Sequence, residues 1–419
     1  MTSITATGGK SLRALNVHTS DRIAFKRCRR KWHWSSPLRM YLRKKELRRP
    51  LWFGTGWHFT LEDFHGNTLY SSPRDAWRDY VRATFEYYGE DDMPDNWRDL
   101  ADLGEGMADY YVEWLKGRDP LETWIIDGVP QCEVNFRIPL PVSQATLDRF
   151  GVDVVYYNGT LDRVIVDQFG SLAIGEYKTA ASIYQGHYLI DPQITAYSWG
   201  AQILYDQPID GVYYYQFRKG TPEEPAILRS GLVSTNKQAS TTYLLYKQVL
   251  KRIYGDVEKA PQNNIDHLNY LAGIESPSGD KFIQRDYIAR NQHSLQSESI
   301  KIMLEVEDML NPDLALYNNP TRECTQFGCD FLEPCIAVDD GDDWESLLQG
   351  DYVERTEEAK DPWRQYLKHH KPCKELSLTN PPETLLRAAL TASEIRQDPQ
   401  EWLHSEHTKR KLELGLTND

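Results

Sequence analysis

Gly151–Thr179, GVDVVYYNGTLDRVIVDQFGSLAIGEYKT, is the stretch around which the chain is organised. Two turn signals divide it into three short strands. Asn158-Gly159 is a strong hairpin signal, because both residues tolerate positive φ. Asp167-Gln168-Phe169-Gly170 is the second. Side chains of a strand alternate between faces, so Leu172, Ile174, Glu176 and Lys178 share one face. If Val166 pairs with Leu172, Asp162 stands directly opposite Glu176, with Cβ atoms roughly 4.5–5.5 Å apart. Two carboxylates that close repel unless a cation sits between them. A hard divalent ion, which prefers oxygen ligands, suits that position. Lys178 follows on the same face, able to orient a water or stabilise an extra negative charge. Asp–Arg and Glu–Lys pairs also decorate ordinary hairpins, so the meaning of these residues rests on their surroundings.

The chain of 419 residues allows one large domain or two or three modest ones, and its 40% apolar content supports a substantial core. No run approaches the roughly 18 apolar residues of a membrane span. The opening MTSITATGGKSLRALN lacks the apolar centre of a signal peptide. A cytoplasmic protein is expected, in the host cytoplasm if the chain is phage-encoded. Six cysteines in a chain this long do not suggest a disulfide scaffold and favour metal ligation or free thiols.

The net charge of −14 argues against a nucleic-acid partner, but its distribution is lopsided. Arg22 to Arg49 holds twelve Lys or Arg and one acidic residue, whereas Asp339 to Asp361 holds ten acidic and two basic residues. The first run can carry a phosphate-binding patch or an exposed helix face. The second reads as a solvated loop.

Outward from the central stretch, residues 1–18 read as a flexible N-terminus. Ser20 is a candidate N-cap for a helix over Asp21 to Trp34, with Cys28 in its middle. Leu51-Trp52-Phe53-Gly54-Thr55-Gly56-Trp57-His58 places two glycines before a helix through Tyr70. His58, Glu62 and His65 then lie on one face of that helix. Helices are expected over 73–88 and 97–116, and a strand over 131–140. Cys132 within it reads as a buried free thiol. Asp191-Pro192 marks the N-cap and first turn of a helix to about Tyr205, with Gln193 and Tyr197 on one face. A further strand is expected at 211–217, an extended segment at 282–290 and helices at 239–253 and 294–310. The tail reads as helical near 362–370 and 382–396.

Gly159-Thr160-Leu161-Asp162-Arg163 and Ile174-Gly175-Glu176-Tyr177-Lys178-Thr179 resemble the core of the PD-(D/E)XK nucleases. The RecB-type branch is the closest match, with its CRISPR-adaptation and phage-borne exonuclease relatives. Gly54 to His58 followed by Leu61-Glu62 resembles the motif that precedes that core, and Gln193 with Tyr197 resembles the motif that follows it. The resemblance implies an α/β restriction-endonuclease-like core, a central mixed sheet flanked by helices. An N-terminal helical subdomain and a C-terminal Cys-rich segment accompany it. The expected divisions are 1–18, 19–130, 131–320, 321–337 and 338–419. The resemblance further implies that His58, Asp162, Glu176 and the Tyr177 carbonyl hold Mg²⁺ or Mn²⁺. Lys178 acts beside them, and Gln193 and Tyr197 guide the DNA strand. Arg27, Arg29, Arg30 and Lys31 are candidate phosphate contacts.

Cys324, Cys329 and Cys335 fall in CTQFGCDFLEPC, and Cys28 is the obvious fourth ligand. This arrangement resembles the iron–sulfur RecB-type nucleases, including AddB-like nuclease domains, in which a [4Fe–4S] cluster clamps the N-terminal segment to the C-terminal one. The spacing departs from the family: four residues separate Cys324 from Cys329, where two are usual, while the five-residue second gap agrees. A Zn²⁺ site and an unmetallated group remain open alternatives. The implied activity is a metal-dependent DNA exonuclease acting on single-stranded ends in recombination, replication or end-processing. The alternative is a catalytically weak DNA-binding or assembly subunit that works with a helicase or annealing partner.

Overall fold

The structure, a computed structural model, describes residues 2–5, 11–45, 49–67, 69–116, 118, 121–184, 186–275, 278–326, 328–355, 361–369 and 374–400. Nine strands form one mixed sheet. They are β1 (Thr2–Thr5), β2 (Ser11–His18), β3 (Glu122–Thr123), β4 (Cys132–Pro139), β5 (Val154–Val166), β6 (Leu172–Ala180), β7 (Gly211–Arg218), β8 (Ile283–Ala289) and β9 (Lys374–Ser377). The main path runs β1-β2-β5-β6-β7-β8; β3 and β4 also pair with β5, and β9 pairs with β4. β5 and β6 are antiparallel with Val166 opposite Leu172, the register the alternating pattern requires. β6 and β7 are parallel, as are β2 with β5 and β4 with β9.

Two expectations for this sheet give way. The Asn158-Gly159 hairpin does not form, and β5 runs unbroken through both residues. There β2 and β4 pair with both edges of β5, Asn158 lying opposite His18 and Arg137. The glycine serves close packing instead: a Cβ on Gly159 would stand 2.5 Å from the Phe136 ring and 2.8 Å from that of Tyr197. The flexible N-terminus is the second. Ser11–His18 is a sheet strand, with Ala14 and Val17 buried. It pairs with β1 on one side, but its partner in the core, β5, is remote in sequence.

Helices cover both faces. α3 (Arg49–Glu62), α4 (Pro73–Tyr88) and α5 (Trp97–Leu115) form an aromatic layer that packs on Ile165, Tyr177, Tyr215 and Phe217 of the sheet. Gly54 and Gly56 lie inside α3 rather than before it. A Cβ on Gly56 would stand 2.2 Å from the Tyr80 ring, so the glycine lets α4 come close. Beyond α3 the chain forms a π-turn over Asp63–Asn67. α6 (Pro192–Tyr205), α7 (Gln292–Met309) and α8 (Glu383–Gln397) cover the opposite face through Ile194, Trp199, Ile302, Met303, Val306 and Leu385. Each fully buried aliphatic or Phe side chain contributes roughly 1.5–3 kcal/mol, so the two layers hold the sheet firmly.

The N-terminal helix is two, α1 (Thr19–Arg27) and α2 (Arg29–Ser35), broken at Cys28, which is extended at φ −160°. The acidic stretch is not a solvated loop. It contains a helix, Trp344–Asp351, and a strand, Tyr352–Glu354, antiparallel to Leu42–Lys44 of the basic run. Beyond it the tail joins the core. Trp363 and Leu367 enter the aromatic layer, buried Arg364 pairs with Glu62 at 3.1 Å, and β9 completes the sheet beside β4. Residues 370–373, Cys373 among them, lie outside the described residues together with 401–419. Among the described residues no helix is long and apolar enough to cross a membrane.

Candidate active site and cysteine cavity

One edge of β5 pairs with β2 as far as Asn158 and with β6 from Arg163 onward. Between them, Gly159–Asp162 has no ladder partner on that edge among the described residues. Asp162 lies in this gap, and its Oδ2 accepts the Tyr177 backbone N–H at 2.8 Å. A side-chain carboxylate thus takes the place of a ladder carbonyl where the strands part. Tyr177 offers the gap only its backbone, because its ring packs 5.1 Å from Tyr215 in the aromatic layer.

α3 delivers His58 to the same place. Its Nδ1 lies 3.3 Å from Asp162 Oδ1 and 3.1 Å from Glu133 Oε1. Glu176 forms an ion pair with Lys178, two residues on and on the same face, and accepts a hydrogen bond from Gln193 Nε2 at 2.9 Å. Asp191 caps α6 by accepting the Gln193 N–H at 2.8 Å, which fixes where Gln193 points. Tyr197, one turn on, packs edge-on against Phe136. His58, Asp162, Glu176, Lys178, Gln193 and Tyr197 therefore share one neighbourhood.

The charges are strongly coupled. Burial opposes the His58 imidazolium, but the Asp162 and Glu133 carboxylates hold its pKa well above the usual value. Burial raises Asp162, and the His58 charge overcomes it, leaving the carboxyl below its ordinary range. Glu176 is pushed up to about 7, first by burial and then by the Asp162 charge. Lys178 is raised: burial opposes its charge, and Glu176 with Asp162 outweigh that. Glu176 is 1% exposed, and its Oε2 has no hydrogen-bond partner among the described residues. A buried carboxylate oxygen without a partner is costly, and a hard cation supplies one. The donor set fits Mg²⁺ or Mn²⁺.

Glu133 is absent from the sequence expectations. His58, Glu133 and Asp162 offer ligand atoms all within 4.8 Å of one another, and no other three His, Cys, Asp or Glu among the described residues do so. Glu133 sits in β4 with φ +47°, a left-handed backbone that residue type does not announce. The alternation of CEVNFRI hides it. Glu62 at the end of α3 and His65 in the π-turn beyond it have structural partners. Glu62 pairs with Arg364, and His65 accepts or donates a 2.8 Å hydrogen bond with Tyr111.

The second constellation lies elsewhere. Cys28, Cys324, Cys329 and Cys335 line one cavity of about 440 Å³, together with Arg27 and Lys31. The helix break at Cys28 turns its thiol into this space, where Sγ accepts the Lys31 N–H at 3.5 Å. Arg30 donates to Cys335 Sγ at 3.3 Å and pairs with Asp339 at 2.7 Å. Asn318 reaches the same sulfur at 3.8 Å. The thiols are not drawn onto a single ion, since no three stand within 4.8 Å of one another. Part of the basic run is taken up by partners within the molecule. Arg22 is buried against Glu298 at 2.8 Å and Glu305 at 2.6 Å, Lys26 pairs with Glu305, and Arg29 lies over the Phe25 and Tyr317 rings. Arg27 and Lys31 thus line the cysteine cavity, and Arg30 reaches Cys335 beside it.

No curated protein matches the chain. A family model described as the PD-(D/E)XK nuclease superfamily matches residues 20–335, from the first residues of α1 to the last cysteine of the trio. The match takes in the gap in β5, the Glu-Tyr-Lys strand and the capped helix behind it. The chain belongs to the PD-(D/E)XK nuclease superfamily.

Proposed function

We propose that this protein is a metal-dependent deoxyribonuclease of the RecB type that degrades DNA from single-stranded ends. The observation that carries the reading is the meeting of His58, Asp162, Glu176 and Lys178 around one gap in the sheet. His58, Asp162, Glu176 and the Tyr177 carbonyl would hold Mg²⁺ or Mn²⁺. Such an ion lowers the pKa of a bound water and offsets charge on the scissile phosphate. The chain supplies the rest. Asp162 and Glu176 fix the donor positions from two neighbouring strands. Lys178 places a positive charge beside the reacting phosphate and stabilises the extra negative charge of the transition state. Gln193 holds Glu176 in place from α6, and Tyr197 borders the path of the strand. Preference for single-stranded ends, and a role in recombination, replication or end-processing beside a protein partner, rest on the resemblance to the RecB-type exonucleases.

The cysteine cavity suits a [4Fe–4S] cluster of structural purpose. Four thiols line it, and N–H groups of Arg30, Lys31 and Asn318 point at two of the sulfurs. Zinc would hold sulfurs at about 2.3 Å from one ion, closer together than these thiols stand. Cys28 would then be tied to the trio far along the chain, which limits the entropy of the unfolded chain. Protein purified without oxygen should be brown and carry bound iron; colourless, iron-free protein would exclude the cluster.

The activity is tested with 5′- and 3′-labelled single strands in Mn²⁺, Mg²⁺ or EDTA. Cleavage in either metal and none in EDTA is expected. K178A should lower the rate at least about 100-fold with DNA binding retained. Undiminished cleavage by K178A removes Lys178 from the chemistry, and binding without cleavage by the wild type removes the enzyme reading.

A further inference from the structure

We propose that Glu133 is a direct ligand of the catalytic metal, completing a side-chain set of His58, Glu133, Asp162 and Glu176. The inference rests on the metal-dependent reading above and names a residue that no nuclease motif in the sequence contains.

The placement comes from a paired irregularity in the sheet. Cys132 lies opposite Arg163 and Val134 opposite Leu161, so Glu133 stands across from Asp162. Residues two apart in a regular strand share a face. Here they do not. Leu161 and Val134 are buried in the core beneath α6 and α7. Arg163 reaches the Tyr177 hydroxyl on the other side at 3.5 Å, and Cys132 packs there against Gly66. Both strands switch faces at the same rung, β4 at Glu133 and β5 at Asp162. The φ of +47° at Glu133 is the local form of that switch. It turns the carboxylate out of the pleat and toward α3.

The contact with His58 then decides between two roles. A carboxylate that only orients a metal-bound histidine bonds the ring nitrogen that faces away from the ion. Glu133 and Asp162 instead approach the same nitrogen, Nδ1, at 3.1 and 3.3 Å. They stand on one side of the ring, so a cation held by Asp162 and Nδ1 is within reach of Glu133. The nearby cations are already engaged: Arg364 binds Glu62, and Lys374 binds the carbonyls of Pro130 and Cys132. Glu176 adds a separate sign of an ion, a buried carboxylate with one oxygen unpartnered, placed opposite Asp162 by the β5–β6 register.

Mn²⁺ binding, followed by loss of the free-ion signal in electron paramagnetic resonance, tests this without reference to cleavage. The wild type is compared with E133Q, E133N and E176Q, and each is melted with and without Mn²⁺. Asparagine adopts left-handed backbone more readily than glutamate, so metal-free E133N should melt at or above the wild-type temperature. Both Glu133 variants should bind Mn²⁺ at least about tenfold more weakly and lose most of the Mn²⁺-induced rise in melting temperature. If E176Q weakens binding and both Glu133 variants stay within twofold of wild type, the proposal falls and the metal-dependent reading stands. If the wild type takes up no Mn²⁺, the reading beneath it falls as well.

Discussion

At the gap in β5, neighbouring strands bring Glu133, Asp162 and Glu176 together by register, and one helix adds His58. Around the cysteine cavity, four thiols arrive from a helix break near the start of the chain and from a short helical segment far beyond the core. Donor atoms of His58, Glu133 and Asp162 already stand within 4.8 Å of one another, and no three of the thiols do. The contrast follows from backbone hydrogen bonding. A sheet places side chains at fixed intervals whatever charges they carry. Two chain segments joined by loops take their spacing from whatever bridges them. The first site is therefore expected to form without its ion, and the second to depend on its filling.

Four changes sharpen or break that contrast. D162N should have the largest effect, lowering metal-dependent cleavage by about three orders of magnitude. Its circular dichroism and melting temperature should stay close to wild type, because Asn can still accept the Tyr177 N–H. Loss of cooperative melting in D162N would mean that the site needs its charges to fold. C335S should act in the opposite sense. It should strip iron and colour and lower the melting temperature by roughly 5 °C, while Mn²⁺ affinity stays within twofold. An unchanged melting curve would show that nothing in the cavity ties the chain ends together.

Q193A removes the amide that holds Glu176 and should cost about tenfold in cleavage rate with little change in melting. A smaller effect belongs to pH. The Glu176 carboxyl has its pKa raised from 4.5 to about 7 in the folded protein. The folded state thus binds this proton more tightly than the unfolded one. The resulting stability is fully present below pH 4.5 and is lost as pH rises toward about 7. The raised His58 pKa acts in the same direction at higher pH. Metal-free protein should therefore melt a few degrees lower at about pH 7.5 than at about pH 5, and E176Q should flatten part of that slope. A metal-free stability that rises over this window would overturn the assignment of buried repulsion at Glu176.

Much of the site was legible because it depends on local rules. Strand alternation and the Asp167–Gly170 turn set Asp162 opposite Glu176. The Asp191-Pro192 cap set the start of α6 and the direction of Gln193. What escaped depends on partners that composition does not name. Asn158-Gly159 carries a turn signal, but pairing on both edges of β5 overrides it. Ser11–His18 joins the core through β5, a partner far away in sequence. Glu133 looks like one more outward position in CEVNFRI, since nothing in a glutamate announces left-handed backbone. Counting charges in the basic run does not reveal Glu298, Glu305 and Asp339, which pair with Arg22, Lys26 and Arg30. The tail, for which the sequence suggests no function, holds α3 through Arg364 and borders β4 through β9.

We propose above that Asp162 and its neighbours form a metal-dependent phosphodiester-cleaving site. The most direct test is side-by-side degradation of an end-labelled single strand by wild type and D162N in Mn²⁺. The account predicts steady loss of label from the wild type and almost none from the variant at equal DNA binding. Equal degradation by both proteins would contradict it.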